Sequence, residues 1–304
     1  MGGGSELMRL GYQDSGRPTF VVIGHVARDL VDGGCRLGGT ATYAALTAHH
    51  LGERVAIITS ANPNLDLAPL LSADIQISLL PSAHTTTFEN HYSGKHRWQQ
   101  LHSRASTLGD VAVPHNWRKA DVILLGPIAQ EVPPDLADLF PGSLLGVSAQ
   151  GWLRAWNQQG RVHGTPIAHP RRSFSKLRVA IVSDEDLAFD PSLANAYSQL
   201  VPIFIVTRGE GGATVYLYGQ AHHTPAFSTT TVDPTGAGDV FAAAYLIALH
   251  QTGDPLRSAH FAHGAASFAI EKPGIEGIPT MADVISLRGT QFVVGGGWAS
   301  GWDK

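Results

Sequence analysis

The stretch VDPTGAGD at residues 232–239 runs directly into the apolar segment VFAAAYLIAL at residues 240–249. Because residues 240–249 are apolar on nearly every side, we predict a buried helix that begins near Gly238. The first turn of such a helix has unpaired backbone N–H groups and the positive end of the helix dipole. Gly236, Ala237 and Gly238 have little or no side chain to keep an anion from these groups. The stretch therefore predicts an anion-binding helix start.

Asp239 places a carboxylate next to this predicted anion-binding site. Phosphoryl transfer uses such an arrangement, because one group takes a proton from a hydroxyl while other groups hold the phosphate. The alternative is structural: Asp239 complements the helix dipole, while Asp233 and Thr235 are ordinary capping and turn residues. These residues alone leave both interpretations open.

The motif D-P-T-G-A-G-D, followed by a small hydrophobic helix, resembles the C-terminal signature of the ribokinase/PfkB family of carbohydrate kinases. The resemblance implies that Asp239 is the catalytic base and that the amides of Gly236, Ala237 and Gly238 form an anion hole. It also implies a ribokinase-like three-layer α/β sandwich, with a mostly parallel central sheet and a small β lid. ATP and Mg²⁺ are the cofactors that this resemblance predicts.

The composition is that of a folded protein without a nucleic-acid or membrane partner. The chain has 304 residues, of which 43% are hydrophobic and 15% charged, so a sizeable core is available. The net charge of −4 argues against nucleic acid and anionic membranes. A single cysteine, Cys35, excludes an internal disulfide and a multi-cysteine zinc site. With no signal-peptide core and no run of 18 apolar residues, we expect a soluble, cytoplasmic protein.

Strand-like runs alternate with helical segments, which is typical of a mostly parallel sheet covered on both faces. The predicted strands are 19–24, 54–60, 75–80, 121–126, 144–148, 177–182, 202–207, 213–218 and 221–227. The predicted helices are 40–51, 134–139, 192–200, 238–251, 255–271 and 281–287. The family resemblance implies one kinase domain over residues 18–288, with lid segments near 28–38 and 84–104. The termini, 1–17 and 289–304, are expected to be peripheral or flexible.

A polar, aromatic hairpin is predicted over residues 85–101, with its turn at Ser93-Gly94. One interpretation is an ordinary surface hairpin; the other is a lid that shields a site from water. The family resemblance implies a lid over the sugar, and an exposed lid edge permits a homodimer. The candidate substrate contacts on this hairpin are Phe88, Asn90, Tyr92, Arg97 and Trp98.

Asp29 follows the first central strand, where ligands gather in open α/β sheets, and its carboxylate can hold two hydroxyls of a polyol. A surface-loop aspartate is the alternative on sequence alone. Gly38-Gly39 permits close backbone approach or a hinge before a helix, although such pairs often serve turn geometry only. The family resemblance implies that Asp29, Gly38 and Gly39 contact the substrate.

The resemblance implies that the nucleotide site uses a T-R-G-x-x-G segment, and Arg208 there is suited to phosphate oxygens. The small residues around His263 would let a nucleotide base pack closely, but tight packing between helices explains them almost as well. The chain has no Walker phosphate loop, and no G-x-G-x-x-G follows its first strand, which disfavours a dinucleotide oxidoreductase. The candidate nucleotide contacts are Thr207, Arg208, Gly209, Gly212, Thr235, His263 and Ala266.

One position departs from the family pattern. The family's N-x-x-E motif corresponds here to Ser183 and Asp186, so an acidic group is present but the asparagine is not. Asp186 is a candidate for indirect Mg²⁺ binding through water, and a helix-start acid is the structural alternative.

The sequence thus favours an ATP-dependent kinase that phosphorylates a hydroxyl of a sugar or sugar-like molecule. An inositol or nucleoside kinase and a non-catalytic, ligand-binding member of the fold are the alternatives.

Overall fold

The computed structural model describes residues 7–11, 16–31, 33–93 and 96–291, without the side chains of residues 92–97 and 288–291. The strands are β1 (Met8–Leu10), β2 (Phe20–Ile23), β3 (Ala27–Val31), β4 (Gly34–Gly38), β5 (Val55–Ala61), β6 (Gln76–Pro81), β7 (Thr86–Ser93), β8 (His96–Ser103), β9 (Val122–Leu125), β10 (Leu144–Ser148), β11 (Arg154–Trp156), β12 (Val162–Gly164), β13 (Val179–Ser183), β14 (Ile203–Thr207), β15 (Ala213–Leu217) and β16 (Gln220–Thr224). The α-helices are α1 (Thr40–His50), α2 (Ala68–Leu71), α3 (Pro170–Phe174), α4 (Leu193–Ser198), α5 (Ala237–Thr252), α6 (Pro255–Ala269) and α7 (Met281–Gln291).

Within the described residues, ten strands form the central sheet in the order β1-β6-β5-β2-β9-β10-β13-β14-β15-β16. The strands from β6 to β14 in this order are parallel, while β1, β15 and β16 are antiparallel to their neighbours. Both faces are covered: Phe20 and Val22 of β2 belong to one core cluster, and Val21 and Ile23 to the other. This arrangement confirms the predicted mostly parallel, three-layer architecture.

Helix α5 lies in the first of these clusters with α1. Every residue from Val240 to Leu249 is buried, as the all-round apolar sequence predicts. None of the helices in the described part of the chain is long and apolar enough to cross a membrane.

In the described part of the chain, four strands form a second, small sheet in the order β4-β3-β7-β8. Below, this sheet is called the lid sheet. The β11–β12 hairpin lies against its β8 edge, where the Leu101 N–H donates to the Gly160 carbonyl at 2.8 Å. Trp156 and Val162 of the hairpin pack against the apolar cluster that contains Ala27, Phe88 and Leu101 of the lid sheet, so the hairpin and the sheet share one small core.

The structure differs from the sequence predictions at several elements. Met8–Leu10, within the expected peripheral terminus, forms a strand antiparallel to β6. Pro134–Leu139 is a 3₁₀ helix, and the hairpin β11–β12 was not predicted. The predicted strands 213–218 and 221–227 place a hairpin turn at Gly219-Gln220, but the turn lies one residue earlier, at Tyr218-Gly219. Both of these residues have the positive φ that a two-residue hairpin turn needs. Of the predicted terminal segments 1–17 and 289–304, residues 1–6, 12–15 and 292–304 lie outside the described residues, and α7 extends to Gln291.

Candidate active site

The start of α5 is built around Gly236, which adopts a left-handed φ of 81° and caps the helix. The aromatic ring of Tyr43, from α1, occupies the space that a β-carbon at position 236 would need. Gly238 is exposed, with no atom within 4 Å of the place of a β-carbon. The first turn of α5 is therefore open to a ligand at Gly238. The Ala237 N–H donates to the Pro234 carbonyl at 3.3 Å, so a bound anion would compete with this contact.

Asp239 lies in this first turn. Burial raises the pKa of its carboxyl to about 6, and the nearby carboxylates of Asp29 and Asp186 act in the same direction. A hydrogen bond from the Thr40 side chain and the positive charge of Arg154 oppose this rise. A carboxylate with a pKa close to neutral is suited to accept a proton from an alcohol at physiological pH.

Asp29 lies on β3, directly opposite Arg36 of β4. A side chain at Gly38 would overlap the Asp29 carboxylate, and one at Gly39, where φ is 83°, would meet the His25 carbonyl oxygen. The two predicted glycines therefore allow β4 to approach both Asp29 and the end of β2. Both Asp29 and Asp239 influence the Tyr43 hydroxyl, so the structure brings the two predicted carboxylates to one site.

Tyr43 was missed by the sequence analysis. Burial raises the pKa of its hydroxyl, and the carboxylates of Asp29, Asp233 and Asp239 raise it further. The phenol is thus neutral and lies among three carboxylates. Its place one turn after Gly38-Gly39 was the available signal.

Arg154 was missed as well. It begins β11 and lines a cleft of about 520 Å³. It follows the predicted strand 144–148, and the carboxyl ends of parallel strands are where ligands gather, so this signal was available. The cleft is lined by Trp98, Gln99, Leu153, Arg154, Val162, His163, Gly164, Glu185, Asp186 and Ala188.

The predicted lid contacts fall into different environments. Phe88 is buried in the apolar cluster under the lid sheet. The indole of Trp98 stacks on His91, with ring centroids 3.9 Å apart, and Arg161 lies 5.0 Å from the Trp98 ring centroid. Asn90 accepts a hydrogen bond from Gln99 at 2.8 Å. The side chains of Tyr92 and Arg97 lie outside the described residues.

The T-R-G-x-x-G segment forms a tight turn after β14. Its Gly212 has a φ of 77°, and a β-carbon there would overlap the Thr224 carbonyl oxygen. The Arg208 guanidinium donates to the Thr214 hydroxyl at 2.5 Å, and the Thr207 carbonyl accepts from the Asp184 N–H at 2.9 Å. Gly209, with a φ of 49°, lies in the same turn.

His263 and Ala266 lie on α6. His263 is buried, with its ring 3.1 Å from the Thr224 hydroxyl and edge-on to Phe241. Burial lowers the pKa of His263 to about 4, so it is neutral. The structure does not bring this imidazole to the surface. Ala266 is half-buried.

Ser183 and Asp186 form two reciprocal hydrogen bonds at the end of β13. The Asp186 carboxylate accepts from the Ser183 N–H at 2.9 Å, and the Ser183 hydroxyl accepts from the Asp186 N–H at 3.1 Å. Among the described residues, no group of three His, Cys, Asp or Glu side chains is placed to hold a metal ion. One carboxylate beside Asp239 fits a Mg²⁺ ion that keeps its waters and binds chiefly through substrate phosphates.

Part of the chain resembles known carbohydrate kinases. Residues 183–281 match the model of the pfkB family carbohydrate kinases. This match supports the resemblance to the ribokinase/PfkB family that the sequence motif predicts. A relative in this family, the ribokinase of Bacillus subtilis, is 35% identical over 175 residues, covering 56% of this chain and 55% of that protein.

Two solved structures of the ribokinase family show the same fold. A pyrophosphate-dependent kinase, solved as a sulfate complex, has a TM-score of 0.74 at 21% identity, covering 88% of this chain and 99% of that one. Arabidopsis thaliana ribokinase, complexed with ribose and ATP, has a TM-score of 0.71 at 17% identity, covering 89% and 98%. The chain spans 22% to 54% of the length of three curated relatives that it matches.

Proposed function

We propose that this chain is a kinase that transfers the γ-phosphoryl group of ATP to a hydroxyl of a sugar or sugar-like small molecule. The observation that carries the proposal is the position of Asp239, whose pKa is raised to about 6, beside the open first turn of α5. A base and an anion-binding helix start at one site are what an alcohol needs to attack a phosphoryl group.

In this proposal the acceptor hydroxyl gives its proton to Asp239 as its oxygen bonds to the γ-phosphorus. The bond between that phosphorus and its bridging oxygen breaks, and the electron pair leaves with ADP. The amides of Gly236, Ala237 and Gly238 stabilise the charge on the transferring group. Arg154 supplies a further positive charge, because it lies close enough to influence Asp239 and lines the adjoining cleft. Mg²⁺, when bound, would neutralise phosphate charge, with Asp186 holding it through water.

The acceptor is proposed to lie under the lid sheet, against Asp29 and the backbone of Gly38 and Gly39. The amides of Asn90 and Gln99 bond to each other, and Gln99 lines the cleft, which adds hydrogen-bonding groups on the lid side. Carboxylate and amide groups are the partners that a polyhydroxylated acceptor needs. Trp98 lines the same cleft. We retain Phe88, Tyr92 and Arg97 as predicted contacts only.

The adenosine part of ATP is proposed to lie along Thr207, Gly209, Gly212 and Thr235, with Ala266 on the far side. The Arg208 guanidinium already donates a hydrogen bond to Thr214. For Arg208 to bind a phosphate of ATP, the phosphate must replace Thr214 as the acceptor. We assign His263 to packing between α5 and α6, since it is buried against Phe241 and bonds to Thr224.

A homodimer through the lid sheet also remains a proposal. The β8 edge of the lid sheet is already hydrogen-bonded to the β11–β12 hairpin at Leu101. The β4 edge is therefore the better candidate for pairing with a second copy.

The direct test is phosphorus NMR of the purified chain with MgATP and a panel of sugars, sugar acids, inositols and nucleosides. Formation of ADP together with one phosphomonoester supports the proposal and identifies the acceptor class. A parallel series with pyrophosphate tests the donor, because a fold neighbour is pyrophosphate-dependent. Ligand-induced thermal stabilisation without product from either donor would favour a non-catalytic binding protein.

A further inference from the structure

The carboxylate of Asp233 joins three separate parts of the molecule. One oxygen accepts from the Thr235 N–H at 3.0 Å, inside the loop that leads into α5. The other accepts from the Gly274 N–H at 3.1 Å, in the turn after α6. The same oxygen lies 3.5 Å from the Arg36 guanidinium, which comes from β4 of the lid sheet. Asp233 therefore connects the lid sheet to the loop that bears the proposed anion hole.

Arg36, the lid-sheet partner of Asp233, lies next to the proposed acceptor-binding residue Asp29. Arg36 is the register partner of Asp29, so both side chains lie on the same face of the lid sheet. Ala27, two residues before Asp29, lies on that face too and packs into the buried cluster beneath the lid. Asp29 and Arg36 thus lie on the side of the lid sheet that faces the body of the protein.

The loop that contains Asp233 packs against the start of α5 through Tyr43. Gly236 lies against the ring of Tyr43, and the hydroxyl of the same Tyr43 lies 3.8 Å from the place of a β-carbon at Gly274. The loop in which Asp233 holds Thr235 and Gly274 therefore packs, through Tyr43, against the helix start where the donor phosphate is proposed to bind. Asp233 thus links this helix start to Arg36 of the lid sheet.

We propose that Arg36 is a positioning residue that couples the two substrates: donor binding at residues 236–238 orders β3 and β4 over the acceptor through the Arg36–Asp233 ion pair. This inference rests on the proposed function, because it assigns a role within the same site. Coupling between two sites is reciprocal, so the acceptor also strengthens donor binding. The ion pair is partly exposed, with side-chain exposures of 55% for Arg36 and 19% for Asp233, so the effect is modest and sensitive to salt.

The test is hydrogen–deuterium exchange of residues 27–31 and 34–38, with and without the ATP analogue AMPPNP and Mg²⁺. In the unmodified protein, AMPPNP is expected to slow exchange of these strands about two- to five-fold at low salt. Arg36→Met should abolish this protection, and Arg36→Lys should restore part of it. Arg28→Met is the matched control, since Arg28 belongs to the same sheet but lies on its other face, bonded to Cys35. This control should keep the full protection.

The outcomes separate the two proposals. Calorimetry that shows no AMPPNP binding to the unmodified protein contradicts ATP as donor, and the coupling with it. Binding without protection of β3 and β4, or equal protection in Arg36→Met, overturns the coupling alone. Should Arg36→Met fail to fold, the unmodified protein still decides the matter: protection by AMPPNP must weaken at about 0.5 M NaCl, where exposed ion pairs are screened, and undiminished protection overturns the inference.

Discussion

The Asp29 carboxylate lies in the space where a β-carbon of Gly38 would stand, so the absence of a side chain at position 38 sets the position of the acid. Gly38→Ala is therefore expected to displace Asp29 from the acceptor and raise the acceptor KM by about tenfold or more. The KM for ATP should change less than the acceptor KM, because Gly38 does not contact the donor loop and the coupling through Arg36 is modest. Steady-state kinetics with both substrates varied measures the effect.

Gly34→Ala is the matched control for this change. Gly34 lies on the same strand, and no atom lies within 4 Å of the place of its β-carbon. Its kinetics should match those of the unmodified protein. A Gly38→Ala enzyme with a normal acceptor KM would show that Asp29 does not bind the acceptor.

The pH dependence of the reaction follows from Asp239. The base must be ionised, and burial raises its pKa to about 6, so kcat/KM should fall as the pH drops below about 6. The Thr40 hydrogen bond favours the ionised form and lowers this pKa. Thr40→Val should therefore move the acid limb to higher pH, as a pH–rate profile of both proteins would show. A limb that stays in place or moves to lower pH contradicts this role of Thr40.

Arg154 should affect both the rate and the acid limb. Its positive charge lowers the pKa of Asp239, so Arg154→Met is expected to move the limb upward. Loss of a cation beside the transferring group should also lower kcat, by about 10²-fold. Arg161→Met is the control on the same hairpin, since Arg161 lies over the Trp98 ring instead. Equal effects of the two substitutions would mean that only the fold of the hairpin matters.

The buried carboxylate of Asp239 should lower the free energy of unfolding at neutral pH. Its pKa is raised from 3.8 to about 6, so its contribution to stability is fully present below pH 3.8 and is lost as the pH rises through 6. Asp239→Asn removes this cost and should raise the free energy of unfolding at pH 7 by up to about 3 kcal/mol. Urea unfolding at pH 7 and pH 4 measures it. A gain that is as large at pH 4 as at pH 7 would argue against a raised pKa.

Much of the central sheet follows from local pattern, because parallel strands buried on both faces read as continuous apolar runs. The prediction of a helix at 238–251 agrees with α5, since a Gly-rich start precedes an all-round apolar segment. The strands Met8–Leu10 and Arg154–Trp156 were missed because each has only three residues and depends on its partner strand. Local sequence carries little signal for such pairing.

The candidate site was predictable where the backbone itself makes it, at Gly38, Gly39 and Gly236. The roles of side chains depend on neighbours that are distant in sequence. Trp98 stacks on His91 across the lid hairpin, and His263 bonds to Thr224 from another element. Neither contact can be predicted from composition or spacing. Arg154 reaches the neighbourhood of Asp239 only through a hairpin that the sequence did not predict.

The turnover of Asp239→Asn tests the central claim most directly. The structure predicts that this variant binds MgATP with an affinity close to that of the unmodified protein, while kcat falls by about 10²- to 10⁴-fold. The measurement needs an acceptor from the panel above, a coupled assay for ADP and a calorimetric titration with AMPPNP. Near-normal turnover in the folded variant would contradict the account, because the proton would then be leaving the acceptor without Asp239.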